Sequence, residues 1–142
     1  MSKRLVTLSW CAALTGLLAA CSDAPAKATK VQPVVLDAIA GSKVKRVTFT
    51  RDHMERISLA TDKITAGEGP EFVVPYGAVI YDSDGSSWVY VLEGESSFVR
   101  TRIEITRIVG RQAFLKSGPA IGTAVAVVGV AELFGAETGI GK

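Results

Sequence analysis

Three observations on the sequence predict a mainly β fold, a small barrel or sandwich of about seven short strands with one or two short helical turns. From Val44 to Val128, β-branched and aromatic residues fall in short runs that alternate with polar ones. Clusters of turn formers, such as Asp82-Ser83-Asp84-Gly85-Ser86-Ser87 and Ser117-Gly118-Pro119, separate those runs. Helical signals are confined to one turn or so after Arg51 and another after Val130. No repeat recurs at a fixed period.

Taken in order, residues 22–42 are rich in Ala, Lys and Pro, and Pro25, Pro33 and Gly41 are spaced so that no element grows long. The segment 21–43 therefore reads as a flexible tether, able to extend by about 3 Å per residue. Val34 to Ile39 is apolar enough to dock on something but is read as part of that linker. Val44 to Thr50 sets Val47 and Phe49 against Arg46 and Thr48, the pattern of a half-buried strand. Thr50 can cap a short helix from Arg51 to Ile57, with Asp52 at its positive end and Met54 and Ile57 sharing the buried side.

A weaker strand pattern covers Ser58 to Ile64 and stops in the loop Thr65 to Glu71. Phe72 to Tyr81 and Trp88 to Glu93 then form a hairpin across the Asp82 to Ser87 turn. Phe98 to Val109 follows, with Ile103 and Ile105 on one face and Arg102, Glu104 and Thr106 on the other. Ala113 to Leu115 and Thr123 to Val128 are two further short strands. Val130 to Phe134 suggests one helical turn, and 136–142 reads as a Gly-rich tail. The β domain is thus expected over 44–135.

The N-terminus carries a separate signal. Lys3 and Arg4 precede an apolar stretch, Leu5 to Leu18, too short to span a bilayer, and Leu18-Ala19-Ala20 leads into Cys21. That order resembles a bacterial lipoprotein signal, with 1–20 as the signal peptide. The resemblance implies a diacylglyceryl thioether on Cys21, cleavage before it and acylation of the new amino group, which anchors the chain stably. An ordinary secretory signal cut after Ala20, or a short uncleaved anchor, is the alternative. Each puts the domain outside the cytoplasm.

Cleavage would remove two of the 16 basic residues and none of the 14 acidic ones, leaving the mature chain neutral. No long basic run remains to follow a phosphate backbone, so no nucleic-acid partner is expected. Cys11 leaves with the signal and Cys21 is consumed by lipid, so no thiol is left for a disulfide or for catalysis.

The chemical motifs are sparse. Asp82-Ser83-Asp84-Gly85 lacks the later ligands of a calcium loop. The terminal Gly-Lys has the wrong spacing for a phosphate loop. His53 is the only histidine, with no second imidazole or thiol to build a metal or nucleophile site around it. No catalytic residue, no metal and no cofactor beyond the Cys21 lipid is expected, and the chain is read as not an enzyme. Arg100 and Arg102 share one face of their strand. A basic edge deters sheet-to-sheet aggregation, and docking to an acidic partner is the functional alternative. Trp88, Tyr90 and Phe98 are core or interface aromatics. Arg100, Arg102, Trp88 and Phe98 are the candidate partner-docking residues.

A family resemblance runs through these segments. Val74-Pro75-Tyr76-Gly77-Ala78-Val79-Ile80-Tyr81, Asp84-Gly85, Trp88-Val89-Tyr90-Val91 and Phe98-Val99-Arg100 resemble the membrane-proximal domain of periplasmic adaptor subunits, the membrane fusion proteins of RND-type efflux pumps. Ile108-Val109-Gly110, the run Ser117 to Val125, and Gly129-Val130-Ala131-Glu132-Leu133 resemble its closing strands. Val47-Thr48-Phe49-Thr50 and Arg56-Ile57-Ser58-Leu59-Ala60-Thr61 are similar to the segment that opens many mature adaptors. In that family the opening and closing segments of a long chain meet in one domain. Here only the loop Thr65 to Glu71 stands between them, in place of the lipoyl-like sandwich, helical hairpin and most of a barrel.

The resemblance implies a truncated, stand-alone version of that domain. It would be a non-catalytic, lipid-anchored periplasmic module of an RND-type efflux system, with the pump or a full-length adaptor as protein partner. A stand-alone envelope lipoprotein with a structural or small-ligand-binding role is the alternative. The membrane that holds the anchor stays open: Ser22 rather than Asp follows Cys21, which by resemblance to Gram-negative lipoproteins favours outward sorting, whereas pump association favours the inner membrane.

Overall fold

Period-two alternation produces ten strands among the described residues, joined in one sheet, and the mainly β expectation holds. The computed structural model describes residues 32–140. The expected signal peptide 1–20, Cys21 and the expected tether as far as residue 31 lie outside the described residues, as do residues 141–142. The strands are β1 (Val34–Ala38), β2 (Lys45–Phe49), β3 (Ala60–Lys63), β4 (Thr65–Ala66), β5 (Phe72–Pro75), β6 (Ile80–Tyr81), β7 (Ser87–Glu93), β8 (Ser97–Val109), β9 (Gln112–Ser117) and β10 (Ala124–Val128). Helix α1 (Arg51–Arg56) follows β2, a 3-10 turn (Tyr76–Ala78) separates β5 from β6, and helix α2 (Val130–Thr138) follows β10.

The main path of the sheet runs β3-β10-β7-β8-β9-β5-β4. Its two ends, β3 and β4, are separated in the chain only by Ile64, so the sheet curls into a nearly closed barrel. Ile64 makes that join by donating its N–H to the Thr123 carbonyl at 2.9 Å and accepting from the Gly122 N–H at 2.8 Å. A bulge in β8 accommodates the curvature. Ser97 to Ile103 pair with β7, Glu104 to Val109 pair with β9, and the register with β9 shifts between Glu104 and Arg107. The barrel interior is filled by Ile64, Val74, Val89, Ile103, Leu115 and Val125 with the small residues Ala78 and Ala113.

The opposite faces of the same strands are buried too. Val47 and Phe49 of β2, Tyr90 of β7, Phe98 of β8 and Ala126 of β10 form a second core with Val130 and Leu133 of α2. Met54 and Ile57 pack against it from α1, as their spacing predicts. Thr50 caps α1, its hydroxyl oxygen accepting from the His53 N–H at 3.3 Å. The His53 ring lies tilted on Phe49, centroids 4.7 Å apart.

Three expectations are corrected. Val34 to Ala38, assigned to the tether 21–43, is strand β1, antiparallel to β2 from Val34 opposite Phe49 to Ala38 opposite Lys45. Its apolar residues have a core to join, since Val34 packs on the second cluster. Phe72 to Tyr81 is two strands rather than one. Pro75 offers no N–H, and the chain turns through Tyr76–Ala78 so that β5 pairs with β9 and β6 with β7. Gly77 passes so close to β10 that an added Cβ would stand 3.2 Å from the Val127 carbonyl oxygen. Finally, the helical turn expected to end at Phe134 runs on to Thr138, through part of the supposed tail 136–142. The cost of Gly135 inside a helix, about 1 kcal/mol, is outweighed because the following turn docks on the sheet. Gly139, at φ 77°, ends it.

Candidate functional site

Strands β7 and β8 pair with Leu92 opposite Phe98, Tyr90 opposite Arg100 and Trp88 opposite Arg102. Alternation puts all six on the face that carries the second core. Exposure rises along β8: Phe98 is 1 % exposed, the Arg100 side chain 9 %, and Arg102 is open to solvent.

Arg100 lies at the centre of a buried polar network. Its Nη1 donates to Asp82 Oδ2 at 3.0 Å, and its Nε lies 3.2 Å from Glu137 Oε2, near enough for charge attraction though not aligned as a hydrogen bond. The guanidinium stands 4.7 Å from the Trp88 ring centroid and 5.5 Å from that of Phe134, with an aromatic contact from the sheet and another from α2. Glu137 of α2 is 4 % exposed. Its Oε2 accepts from the Tyr90 hydroxyl at 2.6 Å, and its Oε1 accepts from the Lys45 N–H of β2 at 3.3 Å. One carboxylate thus ties α2 to β2, β7 and β8. Two carboxylates face one buried guanidinium, and Asp82 links the cluster to the β6–β7 turn.

Burial first, then the hydrogen bond and the negative charge of Glu137, raise the Tyr90 phenol well above its ordinary value near 10. The unfolded chain therefore releases this proton at lower pH than the folded one. Stability contributed by Tyr90 is complete below pH ~10 and declines above it, by at most about 1.4 kcal/mol per pH unit. Urea midpoints measured between pH 9 and pH 11 are expected to fall, and Tyr90→Phe is expected to flatten that decline. An equal decline in the variant would refute the assignment.

The four docking candidates separate. Phe98 is in the second core, packed with Val47, Tyr90 and Leu133, so it presents nothing to a partner. Arg100 is used internally. The basic-edge reading also fails for it, because its side chain is 9 % exposed and held between Asp82, Glu137, Trp88 and Phe134 rather than presented at an edge. Arg102 is exposed, its guanidinium 5.9 Å from the Trp88 ring, and Trp88 is half-buried. These two are the candidates still at the surface. Cys21 lies outside the described residues.

Glu137 was not among the expected site residues. The spacing Val130, Leu133, Phe134, Glu137 places it on the buried side of a helix, a signal masked by the surrounding glycines. Asp82 likewise reads as a turn residue, and it is one: its N–H donates to the Ser86 carbonyl at 2.9 Å and Gly85 takes φ 81°. Its carboxylate serves Arg100 as well. Among the described residues no three His, Cys, Asp or Glu side chains converge as metal ligands, and no helix is long and apolar enough to cross a membrane. No protein-family model, curated protein or solved structure matches the chain.

Proposed function

We propose that this chain is a non-catalytic, lipid-anchored periplasmic module of an RND-type efflux system, docking on the pump or on a full-length adaptor. The observation that carries the reading is how the second core is assembled. Val47 and Phe49, from the segment that resembles the opening of an adaptor, pack with Val130 and Leu133, from a run that resembles its close, and with Phe98, from a run that resembles the same membrane-proximal domain. Val47 stands directly opposite Phe98 in the sheet. A domain made by opening and closing segments meeting is what the resemblance requires. Arg102, with Trp88 beside it, supplies the docking group, and the Cys21 lipid raises the local concentration so that a weak contact suffices.

Mild crosslinking in cells, with the tagged chain as bait and mass spectrometry as readout, tests this. Capture of an RND pump or adaptor is expected, reduced in Cys21→Ala and in Arg102→Glu. Because Arg102 is exposed, the second variant is expected to keep its stability within about 0.5 kcal/mol. Reproducible absence of both partners would instead favour a stand-alone envelope lipoprotein with a structural or small-ligand-binding role.

A further inference from the structure

The sheet carries an apolar row that ends in the open. Leu92, Phe98, Val47 and Leu36 are successive cross-strand partners over β7, β8, β2 and β1. Phe98 and Val47 are buried, whereas Leu36 is 36 % exposed and its neighbour Val35 is 47 % exposed. Among the described residues β1 pairs with β2 alone, so its outer edge presents unpaired backbone groups. Asp37 is the single charge in the strand, and it lies on the face opposite Leu36.

We propose that this edge pairs with β1 of a second copy of the chain, antiparallel about a two-fold axis at Leu36. The sequence Val34-Val35-Leu36-Asp37-Ala38 is self-complementary in that register. Leu36 meets Leu36 and continues the apolar row, Val34 meets Ala38, and Val35 meets Asp37, so the two carboxylates do not oppose each other. Arg46, which faces Asp37 within the chain, is already held by Glu93 at 2.8 Å.

The chain leading into β1 permits the arrangement. Pro33 of one copy would lie opposite Ile39 of the other, putting the two Pro33 residues about 20 Å apart at ~3.3 Å per residue. From Pro33 back to Cys21 an extended chain covers about 36 Å at ~3 Å per residue, so both anchors reach one membrane plane. Two anchored copies meet at the raised concentration of that plane. The edge pairing does not depend on the efflux reading, and its membrane geometry rests on the Cys21 anchor proposed above.

Full-length chain carrying Leu36→Cys, in native membranes under mild oxidation, tests the pairing. Opposed residues of an antiparallel pair stand about 4.5–5.5 Å apart at Cα, inside the Cα separation that a disulfide bridges. The expected result is a disulfide dimer of twice the chain mass, about tenfold more abundant than from Val109→Cys at the far end of β8 or from the unsubstituted chain. Leu36→Lys sets two ammonium groups against each other and is expected to convert a detergent-extracted dimer to monomer while leaving the circular dichroism melt unchanged. A Leu36→Cys yield no higher than the Val109→Cys yield overturns the proposal. So does a monomeric unsubstituted chain, a dimer that survives Leu36→Lys, or a disulfide to a different protein.

Discussion

Glu137→Ala is expected to destabilise the domain by about 3–5 kcal/mol, the usual cost of removing one partner from a buried ion pair. A small domain has roughly 5–15 kcal/mol in total, so the loss takes a large share of it. The size follows from what is abandoned. Arg100 keeps only Asp82, the Tyr90 hydroxyl is left buried without its acceptor, and the Lys45 N–H loses its partner. Glu137→Gln preserves shape and some hydrogen bonding and is expected to cost less. The informative comparison is Glu137→Leu combined with Arg100→Met. A well-packed apolar pair can replace a buried ion pair at little cost, so the double variant is expected to be more stable than Glu137→Leu alone. Urea denaturation followed by circular dichroism gives all four values. A Glu137→Ala cost below about 1 kcal/mol would mean that the network behaves as a solvated surface pair.

Phe98→Ala is expected to cost about 3–5 kcal/mol, the range for truncating a fully buried aromatic. The cavity would open between β2, β7, α1 and α2, where Phe98 touches Val47 and Tyr90, and the surrounding strands are too tightly paired to collapse into it. Arg102→Ala, on the same face of the same strand, is expected to stay within about 0.5 kcal/mol. The contrast decides between two roles the sequence assigns equally to these residues. If Phe98→Ala left stability intact and weakened partner capture, Phe98 would be a surface anchor and the second core would be misdescribed.

Strands whose alternation is self-contained were legible from residues alone. Val47 and Phe49 point inward against Arg46 and Thr48, and Thr50 with Asp52 marks the start of α1. What escaped reading depends on partners far away in the chain. Nothing local distinguishes Val34 to Ala38 from an apolar stretch of linker, because it becomes a strand only when β2 lies beside it. Arg100 and Arg102 are chemically equivalent two residues apart. Only the arrival of α2, more than 30 residues later, buries the first and leaves the second in solvent. The long-range pairing of Glu137 with Tyr90 has no counterpart in spacing, so the polar centre of the fold was the least visible part of it.

The order in which the two cores are closed has a consequence for the proposed export. Among the described residues β3 finds its sheet partner in β10 alone, and the Lys45 N–H finds its acceptor 92 residues downstream in Glu137. A chain threaded across a membrane N-terminus first therefore emerges with its early strands lacking the mates that would lock them. Such non-local closure is slow relative to local hairpins. Under the export proposed above, the first half would stay pliable during transit and the domain would set only once its last helix had come through, with Cys21 already held at the lipid surface.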